Sequence, residues 1–227
     1  MLTIHAADLL LTGDRRPSLP GGAVLVDGRT LAATGPYEEL AAAHPAARAR
    51  RWPGVLMPGL LHPYGPLVLE GAYHPDPREA DELGTEPLTG ERLAALPMTE
   101  TRWGAGARRG VRLLLAHGVV AVAGRPRRPA VLDAVQRAGL TVVDRPGRPD
   151  GPDGPGSPGR PDGFVGFDVL AGRDPAEVVH RPLPAPGTGA DATFAVFDVP
   201  DEAALTVRGA ATCVATVLAG RLLHRDR

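Results

Sequence analysis

The 227-residue chain contains no lysine. Apart from histidine, every basic side chain is arginine, so a Schiff base, a lysine general base and a carbamylated-lysine metal bridge are excluded. Cys213 is the single cysteine, which rules out an intramolecular disulfide and a thiolate zinc cluster. Aromatic residues make up only 4%, so a core has to be built mainly from Leu, Val and Ala. No run approaches the roughly 20 apolar residues of a membrane span, and the first residues lack the basic and apolar regions of a signal peptide. A soluble, cytoplasmic protein is expected, with no membrane contact. The net charge of -1 leaves no excess positive charge to displace counterions from phosphates, so nucleic acid is not an expected partner. An arginine-only chain rich in Ala, Gly and Pro also points to a GC-rich, bacterial coding genome.

What is present is unevenly distributed. The chain is 43% hydrophobic, enough for a real core, but its 29 glycines and 25 prolines cluster. Residues 2–12 and 23–33 read as strands, the second set folded at Asp27-Gly28, a strong hairpin signal between apolar runs. Tyr37 to His44 reads as a short helix and Arg48 to Trp52 as an edge strand. Val55, Leu56 and Met57 form a buried strand, bent at Pro58-Gly59 before Leu60-Leu61-His62. Gly71 to Met98 reads as loop with one helical turn. Thr99 offers an N-cap, a helix is predicted over 105–117 with Gly118 as its stop, and 119–122 reads as a buried strand. A second helix over 129–138 and a strand over 140–143 complete a helix-strand-helix-strand run, which implies parallel α/β units. Arg145 to Gly163 carries no hydrophobic residue and is expected to be a disordered linker. A strand over 164–170 and a helical turn over 174–179 are expected beyond it.

Several of these stretches resemble the amidohydrolase superfamily, in particular its imidazolonepropionase-like composite domain. Gly54 to Gly65 is similar to the first barrel strand that delivers a His-x-His pair. Asp27-Gly28-Arg29-Thr30-Leu31 resembles the family's N-terminal hairpin, Gly189 to Asp198 its "GADAD" strand, and Val214 to Leu223 its closing hairpin. The resemblance implies an α/β fold with a composite β-sandwich, from 1–56 and 188–227, plus a truncated (β/α) barrel remnant over 57–187. A complete eight-stranded barrel takes about 250 residues, which do not fit between those segments.

The family's chemistry rests on a metal that lowers the pKa of a water and a carboxylate that moves its proton. By resemblance His62 occupies the first histidine place, but Tyr64 stands at the second, and tyrosine is a poor zinc donor. His180 has no assignable barrel strand. His74, in Tyr73-His74-Pro75-Asp76, is the candidate second ligand beside His62; no catalytic residue is assigned, and Tyr64 with Glu70 is a weak acid/base pair. His117 is expected to favour a helix C-terminus, and His5, His44 and His224 to be solvated. Cys213 reads as a small buried hydrophobe, Trp52 and Trp103 as packing residues, and Gly104-Ala105-Gly106 as a poor phosphate loop for want of a preceding strand. The expectation is an amidohydrolase-like pseudoenzyme acting as a binding or scaffold module, without a cofactor. The alternative is a zinc hydrolase of non-peptide carbon-nitrogen bonds with a reduced mononuclear site. An exposed sheet edge implies a homodimer or a protein partner.

Overall fold

The structure, a computed structural model, describes residues 1–14, 16–144, 166–184 and 188–226. The expected linker over 145–163 lies outside the described residues. The chain is mixed α/β with several sheets, and no closed barrel forms among the described residues. It divides into two compact units. The first comprises Met1–Leu61, Leu115–Val120 and Asp168–Arg227, the second His62–Leu114 and Ala121–Phe167.

In chain order the first unit begins with β1 (Leu2–Ala6), β2 (Leu9–Leu10), β3 (Leu19–Pro20), β4 (Gly22–Asp27) and β5 (Thr30–Pro36). It continues with α1 (Tyr37–Ala43), β6 (Arg48–Arg51), β7 (Val55–Pro58) and β8 (Leu60–His62), the last ending at the boundary between the units. The second unit supplies α2 (Gly65–Leu69), α3 (Ala80–Leu83), α4 (Gly90–Ala94) and most of α5 (Glu100–Ala116). The boundary crosses β9 (Val119–Ala123), and α6 (Pro129–Ala138) and β10 (Thr141–Val143) follow. The first unit then resumes with α7 (Pro175–Val178), β11 (Phe194–Phe197), α8 (Glu202–Arg208), β12 (Cys213–Leu218) and β13 (Arg221–Arg225).

A four-stranded sheet has the order β5-β4-β1-β6, and a six-stranded sheet the order β13-β12-β11-β7-β2-β3. The second interleaves distant parts of the chain: β11 lies antiparallel to both β12 and β7, and β7 runs parallel to β2. Alternating strands supply one apolar layer to which both sheets contribute. Val24, Val26 and Leu31 come from one sheet, and Leu10, Leu56, Phe194, Val196, Ala215 and Val217 from the other. Ile4, Ala6, Ala23 and Leu25 form a second cluster with Leu40 of α1. The β4–β5 hairpin turns where expected, Asp27 pairing with Thr30 around Gly28 at φ 57°. The β12–β13 hairpin places Ala219 at φ 48° and Gly220 at φ 74°, the doubly positive turn that suits strand twist. A Cβ on Gly220 would meet the Gly28 carbonyl, so only glycine fits there.

In the second unit β10 pairs parallel to β9, with Val142 opposite Val122. Thr99 Oγ1 accepts the Arg102 amide, and α5 begins at Glu100, five residues before the expected start. Gly104-Ala105-Gly106 is therefore helix interior, with Gly106 set against the Tyr73 ring. The 71–98 stretch holds three short helical pieces (a 3-10 turn at Pro77–Glu79, then α3 and α4) rather than one, and only the first starts on a side-chain cap, the Asp76–Glu79 box. The short helix α2, with Pro66 in its first turn, was not signalled by any apolar period. Residues 166–170 form no strand, contrary to expectation. Instead Asp168 Oδ1 accepts the amides of Leu170, Ala171 and Ala210 at 2.9, 3.1 and 2.9 Å, tying that loop to the 3-10 turn Ala210–Thr212.

Candidate functional site

The strand 55–58 ends at Pro58, Gly59 turns the chain, and 60–62 resumes in a different, three-stranded sheet of order β10-β9-β8. The turn brings the His62 imidazole to 1% exposure. Its Nδ1 accepts the amide of Tyr64 at 3.2 Å. A nitrogen that accepts carries no proton, so in this tautomer Nε2 bears the hydrogen and donates it to the Gly166 carbonyl at 3.0 Å. The backbone of Tyr64, which by resemblance stands at the family's second histidine place, thus caps the His62 imidazole. The Tyr64 ring stands edge-on to His62, with centroids 6.5 Å apart.

His74 is likewise buried, at 2% exposure, and its Nε2 lies 2.8 Å from the Val68 carbonyl. Burial holds its pKa below the ordinary imidazole value; the Val68 bond opposes that shift and Arg109 adds to it. The ring tilts on Phe167, and a Cβ on Gly110 of α5 would stand 2.7 Å from it, so glycine in the helix admits the imidazole.

Around His74 is a polar network that the spacing of ligands did not reveal. Tyr73 donates its hydroxyl to Glu79 Oε2 at 2.6 Å and accepts from Arg109 at 3.1 Å. Arg102 pairs with Glu79 Oε1 at 2.8 Å, and Arg109 reaches Asp76 at 3.2 Å and the His74 carbonyl at 2.7 Å. Both guanidinium groups lie over the Tyr73 ring. The Tyr73 bond, then the Asp76 amide, hold the Glu79 carboxyl below its usual range. The available signal was Asp76-Pro77-Arg78-Glu79, a reciprocal capping box that the structure forms in full. This network straps the acid-rich loop to α5 and leaves its charges neutralised.

The remaining sequence candidates are dispersed. Glu70 accepts the Arg128 amide. His180 is half-buried in the first unit, with its amide on the Gly59 carbonyl; burial, then Arg181, lower its imidazole pKa. Cys213 is buried, its thiol pushed up to about 11 by that burial. His44 and His224 are half-buried, whereas the expectation of a solvated His5 is corrected: it is 5% exposed. Strand β1 turns it inward, where its Nδ1 accepts the Trp52 indole N–H at 3.1 Å and its ring meets Phe194 edge-on. Burial, then Arg50, push its pKa down to about 4.

A tetrahedral catalytic zinc takes three protein donors and an open position. The geometry at His62 does not fit that group: one ring nitrogen accepts an amide and the other donates to a carbonyl. Among the described residues no group of three or more His, Cys, Asp or Glu side chains is placed to hold a metal.

Residues 22–47, the hairpin and α1, match the family model of the imidazolonepropionase-like composite domain of bacteria. That match supports the amidohydrolase superfamily, the class to which the sequence motifs pointed. No curated protein matches the chain. Among solved structures, ochratoxinase of A. niger is 22% identical, with 63% of this chain aligned to 30% of that one at a TM-score of 0.42. Aminofutalosine deaminase of Helicobacter pylori is 15% identical, over 63% of this chain and 33% of that one, at 0.40. Atrazine chlorohydrolase of Arthrobacter aurescens, complexed with zinc, is 16% identical, over 62% and 34%, at 0.42. The chain spans about a third of the length of these proteins. No helix among the described residues is long and apolar enough to cross a membrane.

Proposed function

We propose that this chain is an amidohydrolase-like module without hydrolase chemistry, a composite β-sandwich joined to a (β/α) barrel remnant that serves in binding or as a scaffold. The observation that carries the reading is the state of His62: Nδ1 accepts from the Tyr64 amide and Nε2 faces the Gly166 carbonyl. A ligand-competent imidazole needs one nitrogen bare and aimed at the metal. Zinc analysis of protein purified without chelator tests this. The reading expects far less than one zinc per chain, unchanged in His62→Ala; one zinc per chain, lost in that variant, overturns it.

The second reading is a zinc hydrolase of cyclic amide or amidine carbon-nitrogen bonds with a mononuclear site at His62 and His74. The burial of both imidazoles in the same unit favours it, and the same metal analysis decides between the two. A bacterial, cytoplasmic setting belongs to the first proposal, supported by the lysine-free composition and single cysteine. So does a homodimer through β10. Among the described residues β10 pairs with β9 alone, and its Thr141, Val142 and Val143 carry no charge to discourage a second copy. A monodisperse monomer in light scattering contradicts that part.

A further inference from the structure

The opposite kind of edge lies in the first unit. Strand β6 is Arg48-Ala49-Arg50-Arg51, and among the described residues it pairs with β1 alone. The register is parallel, with Thr3 opposite Arg48 and Ala6 opposite Arg51. The Trp52 amide bonds the Ala6 carbonyl at 2.9 Å, which fixes the parity of the strand. Arg48 and Arg50 turn their backbone groups toward β1, so Ala49 and Arg51 turn theirs outward. Arg51 is exposed, and so is Arg48 at the start of the strand. Side chains alternate across the strand. Arg50 shares the face of His5, while Arg51 lies on the other face with its guanidinium 4.1 Å from the centre of the Tyr37 ring. The free edge therefore has positive charge on both faces. Arg16, Arg29, Arg102, Arg109, Arg128 and Arg137 each pair with a carboxylate, but among the described residues Arg48, Arg50 and Arg51 pair with none. Glu38 and Glu39 of α1, next to Tyr37, are the nearest acidic residues in sequence and make no ion pair with β6 among those residues.

We propose that β6 is a docking edge for an extended acidic peptide, which joins the four-stranded sheet as a fifth strand. Main-chain bonds to Ala49 and Arg51 supply the attachment, and carboxylates beside the arginines supply the selectivity. A second copy of the chain is a poor occupant, since pairing β6 with itself sets arginine against arginine. The inference is independent of whether the second unit holds a metal.

The test is fluorescence anisotropy at low ionic strength with a labelled Glu-Val-Glu-Val-Glu-Val peptide. Saturable binding is expected, weakened about tenfold in R48A/R50A through the loss of two cross-strand charge pairs on the face that the alternating glutamates share. The same peptide N-methylated at alternate residues is expected not to bind; it tests the backbone attachment with the protein unaltered. Lack of saturable binding overturns the proposal, as does equal affinity for the N-methylated peptide. Equal affinity for an oligothymidylate of the same charge also overturns it, by making β6 a general polyanion surface.

Discussion

The two units differ in what holds them. In the first, strands from distant parts of the sequence enter the same sheets, and the fixing elements are apolar: Phe194, Val196, Leu56 and Leu10 have no measurable exposure. In the second, beside the buried faces of α5 and α6, the loop before α5 is held by Tyr73, Glu79, Arg102, Arg109 and Asp76, a charged cluster around one ring. Apolar layers tolerate no gap, whereas a partly exposed polar network loses one bond at a time. Substitutions in the two units should therefore differ in size and reach.

Phe194→Ala should have the largest effect, about 3–5 kcal/mol by chemical denaturation, because it empties the layer to which both sheets of the first unit contribute. A loss below about 1 kcal/mol would mean that the sheets do not depend on that layer. Next is pH. His5 titrates near 4 in the fold, against about 6.5 when unfolded, so the unfolded chain binds the extra proton between those values. Its contribution is fully present above about pH 6.5 and is lost as pH falls toward 4, an effect of order 3 kcal/mol. His74 and His180, also lowered, act in the same direction. Urea midpoints followed by Trp52 fluorescence in a Trp103→Phe background should fall over that window and flatten in His5→Gln; equal slopes in the two proteins would remove His5 as the cause.

Tyr73→Phe should cost less, about 1 kcal/mol, since Glu79 keeps its bonds to Arg102 and the Asp76 amide. Hydrogen exchange should show the loosening in 71–98 and leave β11 and β12 unchanged; protection lost in both units would erase the contrast between them. Arg29→Ala should change the melting temperature least, with no measurable shift, because its 3.5 Å pair with Asp191 is well exposed.

The sequence was most legible where local chemistry and tertiary demand agree. Asp27-Gly28 turned where a hairpin turn should, Gly139 stopped α6 in the left-handed region, and the apolar run at 119–122 became a buried strand. It misled where a side chain's fate is decided by a distant partner. His5 lies in an alternating strand, but only Trp52 and Phe194, 47 and 189 positions away, make it a buried acceptor. Asp168 looked like part of a strand, and its role as a triple amide acceptor depends on the turn at Ala210. At the candidate site His62 and Tyr64 were singled out by their resemblance to the family's His-x-His strand. That the Tyr64 main chain caps the imidazole is a matter of turn geometry that no residue type encodes.

The tautomer of His62 is the most direct test. Long-range proton–nitrogen correlation spectra of the neutral protein should show Nε2 protonated and Nδ1 bare, unchanged after addition of equimolar zinc. A bare Nε2, or a nitrogen that shifts stoichiometrically with zinc, would contradict the account and make His62 a ligand.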